Sequence, residues 1–271
     1  MDNRPIGVFD TGLGGLTTVS ELKRIMPNEN IIYFGDTSRV PYGTRSRETI
    51  QKYTKQDIRF LLSHDVKMVI VACNTASTVI TPDMVKNLHV PFAQVITPAV
   101  NSAVAKTKGG KIGIIGTTAT IRSGAYEVAL LSLNQDLQIT TSACPLFVPL
   151  VENGYTSRDN KVTRLIAEEY LAPLKAANVD TLILGCTHYP IIKDIIADIM
   201  GDDVILIDSG IEVAAVAYDI LNKKSILNLT QKPGDCQYFV SDSAADFTSS
   251  ASMIFGENKI DNATKIDIES Y

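Results

Sequence analysis

The sequence of 271 residues has no excess of positive charge, since 25 Lys and Arg stand against 30 Asp and Glu, a formal net charge of −5. Without a basic field, binding to nucleic acid or an anionic membrane is excluded as its main role, and an acidic ligand must be held by local groups. Apolar runs are short as well. None approaches the roughly 18 residues of a membrane span, and Ile6–Phe9, interrupted by Gly7, is too short for a signal-peptide core. We therefore predict a cytoplasmic protein.

Cysteine is also scarce, with four residues in the chain: Cys73, Cys144, Cys186 and Cys236. In a reducing compartment these are expected to be free thiols, either catalytic or buried, rather than disulfides. The chain is long enough for about two domains and a substantial core without covalent cross-links.

Short β-branched runs alternate with amphipathic stretches along the chain. The predicted strands are Ile6–Phe9, Ile31–Phe34, Val69–Ala72, Ala93–Ile96, Ile112–Ile115, Leu182–Gly185 and Val204–Ile207, and the predicted helices include Leu16–Met26, Ser46–Leu62 and residues 211–222. This alternation is typical of α/β proteins whose parallel strands are buried on both faces. Right-handed crossovers then give open, doubly wound parallel sheets.

The chain also contains an internal repeat. The segment that begins at Ile6 resembles the one at Ile112, and those at Val69 and Ala93 resemble those at Leu182 and Val204, in the same order and at offsets of 106 to 113 residues. We predict two similar lobes, residues 98–210 and residues 1–97 with 211–271. The junction is placed at Thr97-Pro98, interpreted as a helix N-cap followed by proline in the first turn. Gln237–Val240 reads as a further strand.

Polar residues follow the predicted strands, at the sheet edge where α/β proteins bind ligands. The first strand ends in a glycine loop, Asp10-Thr-Gly-Leu-Gly-Gly15, which lacks the third glycine of a dinucleotide fingerprint and any following Gly-Lys-Ser/Thr. Two interpretations of the glycine loop remain. It is either a tight turn without a ligand, or a loop whose backbone N–H groups approach a small anion.

Cys73 and Cys186 end equivalent strands of the two lobes, which places two thiols opposite each other across a cleft between the lobes. A helix N-terminus after each strand is expected to lower the pKa of the thiol. A redox pair is normally close in sequence, whereas these two are far apart. Zinc needs about four ligands, and Cys73, Cys186 and His188 supply three. The spacing disfavours a redox pair without excluding it, and a metal site stays open with one ligand short. A third chemistry is removal of a proton by one thiolate and delivery by the opposite thiol, which inverts a stereocentre without a cofactor or metal.

Four motifs together closely resemble bacterial glutamate racemases, of the aspartate/glutamate racemase superfamily. They are Asp10-Thr-Gly-Leu-Gly-Gly-Leu16, Tyr33-Phe-Gly-Asp-Thr-Ser-Arg-Val-Pro-Tyr-Gly43, Ala72-Cys-Asn-Thr-Ala-Ser77 and Leu184-Gly-Cys-Thr-His-Tyr-Pro190. The resemblance is collinear over nearly the whole chain. It implies a cofactor-independent enzyme that interconverts L- and D-glutamate and supplies D-glutamate for peptidoglycan. It also implies two pseudosymmetric α/β domains with the active site between them, a C-terminal tail that returns to the first domain, and a homodimer.

The same resemblance assigns roles to individual residues. Cys73 resembles the base that acts on D-glutamate and Cys186 the base that acts on L-glutamate. Asp10 resembles the helper of Cys73, and Glu152 and His188 resemble the helpers of Cys186. The implied substrate shell consists of Asp10, Thr11, Tyr42, Gly43, Asn74, Thr75, Thr187 and His188. Thr11 departs from the usual serine, which keeps the hydroxyl but adds a methyl group near the ligand.

Neutral donors in this shell suit thiols that must exchange protons, because they add no permanent cation beside them. Structural roles stay open for three of the helpers. Asp10 could cap a helix, Glu152 could be a surface carboxylate, and His188 could be a satisfied polar residue. Two other functions also remain: a racemase for aspartate or another acidic amino acid, and a catalytically silent two-lobe binding protein. Cys144 and Cys236 have no partner in the repeat and are predicted to be structural thiols.

Overall fold

Two parallel β-sheets form the framework of the protein in a computed structural model, which describes residues 2–255, 260 and 262–271. The strands in this part of the chain are β1 (Ile6–Asp10), β2 (Ile31–Gly35), β3 (Met68–Val71), β4 (Phe92–Gln94), β5 (Lys111–Gly116), β6 (Gln138–Ala143), β7 (Thr181–Gly185), β8 (Ile205–Asp208), β9 (Cys236–Val240) and β10 (Ala263–Lys265). The first sheet has the order β10-β9-β2-β1-β3-β4 and the second the order β6-β5-β7-β8. Every pairing is parallel, which confirms the predicted α/β class with parallel sheets.

The helices cover both faces of these sheets. They are α1 (Leu16–Ile25), α2 (Arg47–Leu62), α3 (Asn74–Ser77), α4 (Pro82–Val85), α5 (Ile96–Lys106), α6 (Thr118–Arg122), α7 (Ala125–Leu133), α8 (Phe147–Glu152), α9 (Lys161–Ala176), α10 (Lys193–Met200), α11 (Ser209–Lys223) and α12 (Ala244–Phe255). Short 3₁₀ turns occur at Thr37–Arg39, Tyr42–Thr44, Tyr189–Ile192 and Ile268–Ser270. Each sheet consequently has an apolar cluster on both sides, the burial expected of a doubly wound sheet.

The strand orders show that the sequence repeat is a repeat of structure. The series β2-β1-β3-β4 of the first sheet corresponds strand by strand to β6-β5-β7-β8 of the second. The three segment pairs found in the sequence are β1 with β5, β3 with β7, and β4 with β8. The C-terminal strands β9 and β10 extend the first sheet beyond β2.

Several predicted boundaries need correction. Helix α5 begins at Ile96, so Thr97 lies inside its first turn and is not the N-cap; the side chain of Gln94 accepts the Ile96 N–H instead, at 2.6 Å. Helix α11 begins at Ser209, two residues before the predicted start, because the Asp208 carboxylate accepts the N–H groups of its first turn. Strands β6 and β10 were not predicted.

Helix α11 connects the two halves of the molecule. It packs against α1 beside the first sheet and against α5 and β8 beside the second. The residues that follow β1, β3 and β7 at their carboxyl ends line one cleft. The exact lobe boundaries, residues 1–97 with 211–271 and residues 98–210, stay a prediction.

Candidate active site

A cavity of about 350 Å³ lies between the lobes at the carboxyl ends of the strands, within the size range of small-molecule sites. All of the sequence-predicted site residues line it except Asp10. The lining residues are Thr11, Val40, Pro41, Tyr42, Gly43, Thr44, Cys73, Asn74, Thr75, Thr117, Thr118, Pro145, Val148, Pro149, Glu152, Cys186, Thr187 and His188. One thiol from each lobe therefore reaches the same space.

Cys73 is the N-cap residue of α3, two residues after the end of β3. Its Sγ accepts the N–H of Ala76 at 3.3 Å, and the side chain is almost completely buried. Burial, and next to it the charge of Asp10, raise the pKa of the Cys73 thiol well above its usual value. The N–H groups of Ala76 and Thr75 at the start of α3 do lower this pKa, as expected, but burial outweighs them, so the expected net decrease is wrong.

Cys186 follows β7 and lies beside an imidazole that carries a carboxylate partner. Its Sγ is 3.8 Å from Nδ1 of His188, and Nε2 of His188 is 3.0 Å from Oε1 of Glu152. Burial lowers the pKa of His188, but the hydrogen bonds to Cys186 and Glu152 outweigh it and raise that pKa to about 10. A protonated His188 donates to the sulfur with one nitrogen and to Glu152 with the other.

Asp10 lies just behind the cavity and is buried. Its Oδ2 accepts the N–H groups of Gly15 at 2.8 Å and Gly12 at 3.4 Å, and the hydroxyl of Thr187 at 3.4 Å. Its Oδ1 is buried without a hydrogen-bond partner among the described residues. The backbone N–H groups of the glycine loop were candidates for binding a small anion. Those of Gly12 and Gly15 instead bond to the carboxylate of Asp10, which therefore holds the loop directly before α1.

Two glycines allow the lobes to approach closely around the cavity. A Cβ on Gly14 would lie 2.2 Å from Oγ1 of Thr187 and 2.6 Å from Nδ1 of His188. A Cβ on Gly43 would lie 3.1 Å from Cβ of Thr117. At each glycine the first lobe thus packs against a residue of the second lobe that lines the cavity. The absence of a side chain at Gly14 and Gly43 is what permits this close packing.

Tyr42 contributes to the cavity wall and directs its hydroxyl away into a buried network. That hydroxyl contacts the carboxylates of Asp36 and Asp57, the second at 3.0 Å, and both carboxylates also bind Arg39. Burial, with the charge of Asp36, raises the pKa of Asp57 well above its usual value. These contacts hold the Tyr42–Gly43 turn against the cavity.

Three residues that support the site were not among the predicted site residues. Thr117 and Thr120 form a group of hydroxyls with Thr75, with Oγ1 to Oγ1 distances between 2.9 and 3.1 Å. The repeat could have pointed to Thr117, because it follows β5 as Thr11 follows β1. Tyr126 donates its hydroxyl to Oδ1 of Asn74 at 2.5 Å, and no motif in the sequence signals it.

The other two cysteines have different surroundings. Cys144 is completely buried in the core of the second lobe, and burial raises the pKa of its thiol to about 12. Cys236 on β9 is half-buried, and burial raises its pKa to about 11. Within the described ranges, no three His, Cys, Asp or Glu side chains are grouped to hold a metal ion. No helix in those ranges is long and apolar enough to cross a membrane.

The fold and the cavity define the class of the protein, a two-lobed α/β protein with a cavity between its lobes. The sequence profile of the Asp/Glu/Hydantoin racemase family matches residues 16–217. A glutamate racemase of Geobacter metallireducens is 43% identical over 267 residues, covering 98% of each chain. The crystal structure of a Francisella tularensis glutamate racemase in complex with D-glutamate is 40% identical, has a TM-score of 0.91 and covers 100% of both chains. A Bacillus anthracis glutamate racemase structure is 37% identical, covers 98% of this chain and 97% of its own, and has the same TM-score.

This chain belongs to the Asp/Glu/Hydantoin racemase family. It is therefore a racemase, an isomerase, and its two parallel-sheet domains match those of solved glutamate racemases.

Proposed function

We propose that the protein interconverts L- and D-glutamate by a two-base mechanism in which Cys73 and Cys186 are the catalytic residues. The observation that carries the proposal is that one thiol from each lobe lines the same cavity and each has a different ionisable neighbour. Racemisation needs a base on one face of the α-carbon and an acid on the other, and two opposed thiols meet that need.

The neighbours support one starting state for the reaction of L-glutamate. His188, whose pKa is raised by its hydrogen bonds, lies where its positive charge can stabilise the Cys186 thiolate that this direction requires, whereas burial and the charge of Asp10 favour the thiol form of Cys73. From this state the Cys186 thiolate removes the α-proton of L-glutamate, and the electron pair of the C–H bond passes to the α-carbon and its carboxylate. The Cys73 thiol then delivers its proton to the opposite face, which gives D-glutamate and leaves a thiolate at Cys73 and a thiol at Cys186. D-glutamate reacts by the reverse steps.

The substrate shell is proposed from the cavity lining. Asn74, Thr75 and Thr187 offer neutral amide and hydroxyl donors for the substrate carboxylates. Thr11 and the Tyr42–Gly43 turn border the same space, and the unpartnered Oδ1 of Asp10 supports a role of that carboxylate toward Cys73 or the substrate ammonium group.

We propose glutamate rather than aspartate as the substrate, because relatives that match over nearly their whole length are named glutamate racemases and one structure was solved with D-glutamate. Comparison of initial rates on L-glutamate and L-aspartate separates these two readings. No cofactor is required by the proposed chemistry, so the purified protein is expected to act without additives and to retain its rate in the presence of a chelator.

The mechanism is tested by following L-glutamate in D₂O by polarimetry and mass spectrometry. Because the delivered proton comes from a thiol that has exchanged with solvent, the first D-glutamate formed should carry deuterium at the α-carbon. A single base would return the abstracted hydrogen, so protium in the first product would contradict the two-base mechanism. Ligand binding without any optical change would favour the silent binding protein.

We further propose the cellular setting implied by the sequence resemblance. The protein acts in the cytoplasm, supplies D-glutamate for peptidoglycan and forms a homodimer. Sedimentation of the purified chain measures the last point, and rescue by D-glutamate of a cell-wall defect in a deletion strain measures the role.

A further inference from the structure

Asn74 has its side-chain amide held from two sides by groups outside the cavity lining. Its Oδ1 accepts the hydroxyl of Tyr126 at 2.5 Å, and its Nδ2 donates to Oγ of Ser209 at 3.2 Å. The Ser209 hydroxyl donates in turn to the carbonyl of Leu184 at 3.3 Å. All three polar side chains are buried, with 2% exposure or less.

The hydrogen bonds run in one direction through these groups, from Tyr126 to the Asn74 amide, from that amide to Ser209, and from Ser209 to the Leu184 carbonyl. Ser209 donates its single proton to a carbonyl, so it accepts from Asn74, and the Asn74 atom next to it is the NH₂ group. The oxygen of the amide then faces Tyr126. Burial, and after it the charge of Cys186, raise the pKa of Tyr126 far above its usual value, so its hydroxyl remains a donor at every working pH. A flipped amide would turn its NH₂ group toward Tyr126 and leave the proton of that hydroxyl without an acceptor among the described residues.

This arrangement leaves the second N–H of Asn74 without a partner among the described residues, on a side chain that lines the cavity. We propose that Tyr126 and Ser209 are positioning residues that lock the Asn74 amide as a hydrogen-bond donor toward a carboxylate of the substrate. The proposal rests on the proposed function for the identity of that ligand. It adds two residues from the second lobe and the connecting helix to the binding of an acidic substrate.

The same series of hydrogen bonds also connects the two lobes. Asn74 follows Cys73 directly, and Leu184 lies two residues before Cys186, at the end of β7. Tyr126 is on α7 of the second lobe and Ser209 begins α11. The hydrogen bonds therefore connect the backbone next to one proposed base with the backbone next to the other.

A double-mutant cycle tests the proposal. Loss of one buried hydrogen bond should make Tyr126→Phe lower kcat/KM about tenfold, chiefly through KM. In an Asn74→Ala background the same substitution should change kcat/KM less than about twofold, because there is no amide left to orient. Equal factors in the two backgrounds would overturn the proposal. If Tyr126→Phe does not fold, the cycle of Ser209→Ala with Asn74→Ala gives the same two outcomes.

Two further measurements separate positioning from a structural role and from failure of the proposed function. Tyr189→Phe is the matched control, because it removes a buried hydroxyl that donates to the Cys144 carbonyl at 3.0 Å and does not contact Asn74; it should lower stability similarly and kcat/KM much less. In the ligand-free protein, the side-chain ¹⁵N–¹H signals of Asn74 should shift and broaden in Tyr126→Phe. Unchanged signals would overturn the proposal even if the wild-type protein did not racemise glutamate.

Discussion

Gly14 offers a sharp test of how closely the lobes must approach. In Gly14→Ala the new Cβ would stand 2.2 Å from Oγ1 of Thr187 and 2.6 Å from Nδ1 of His188, distances that real Cβ atoms do not show. Thr187 cannot simply turn away, because it is β-branched, buried and bonded to Asp10. Either these side chains move or the lobes separate, and both change the surroundings of Cys186.

Overpacking of this kind lowers the free energy of unfolding by about 1–3 kcal/mol. Replacement of glycine by alanine also reduces the conformational entropy of the unfolded chain, which offsets about 0.4–1 kcal/mol of that loss. We expect a lower Tm, by about 2–4 °C for each kcal/mol lost. We also expect kcat/KM to fall at least about tenfold, since misplacement of a catalytic group by about 1 Å is costly.

Gly12→Ala is the control from the same loop, because its Cβ would meet its nearest atom, in Val40, at 3.7 Å, an ordinary contact. Thermal unfolding and initial rates of both variants measure the effect. The reasoning is refuted if Gly14→Ala matches Gly12→Ala in both Tm and kcat/KM.

Further predictions concern the cysteines and the histidine. Cys73→Ala and Cys186→Ala should each lower the racemisation rate by about 100-fold or more. Cys144→Ala, which leaves a cavity in the core, should lower Tm and keep most of the rate. Full activity of Cys73→Ala or Cys186→Ala in a rate assay would contradict the two-base mechanism. His188→Asn should lower kcat/KM equally from both enantiomers, because their equilibrium constant is one, but should change the two kcat values unequally; equal proportional falls in kcat would contradict a role confined to Cys186. The pKa of His188 is raised from 6.5 to about 10, so its stabilisation is fully present below about pH 6.5 and is lost as pH rises through 10. The Tm difference between wild type and His188→Asn should therefore shrink over that interval, and a constant difference would argue against the raised pKa.

The parts of the fold that the sequence predicts are those with strong apolar runs. Strands β1, β3, β5 and β7 are buried on both faces and read as continuous Val, Ile and Leu segments, so their positions were correct within one residue. Strand β6, Gln-Ile-Thr-Thr-Ser-Ala, is mostly half-exposed and carries no such run. Only the repeat could have located it, because the equivalent of β2 was missing from the second lobe.

The candidate site was predictable where it depends on the residue after a strand, and less so where it depends on packing. Cys186 follows β7 directly, Cys73 and Asn74 come within three residues of the end of β3, and the parallel topology brings them together. The pKa of Cys73 was mispredicted because the burial of its thiol, which the sequence does not show, outweighs the effect of the helix N-terminus. Tyr126 was missed because its contact with Asn74 joins residues that are distant in sequence and have no repeat relationship.

The two sheets differ at one edge, although they share four strands in the same order. Strand β2 is entirely buried and apolar, Ile-Ile-Tyr-Phe-Gly, because β9 hydrogen-bonds along its whole length. Its counterpart β6 ends the second sheet in the described part of the chain, and its side chains are largely Thr, Ser and Gln. A polar edge of that kind discourages pairing between molecules, whereas an uncovered apolar edge invites it. The C-terminal strands thus protect the protein from aggregation. A chain truncated after α11 would expose the apolar edge strand β2 to pairing with other molecules.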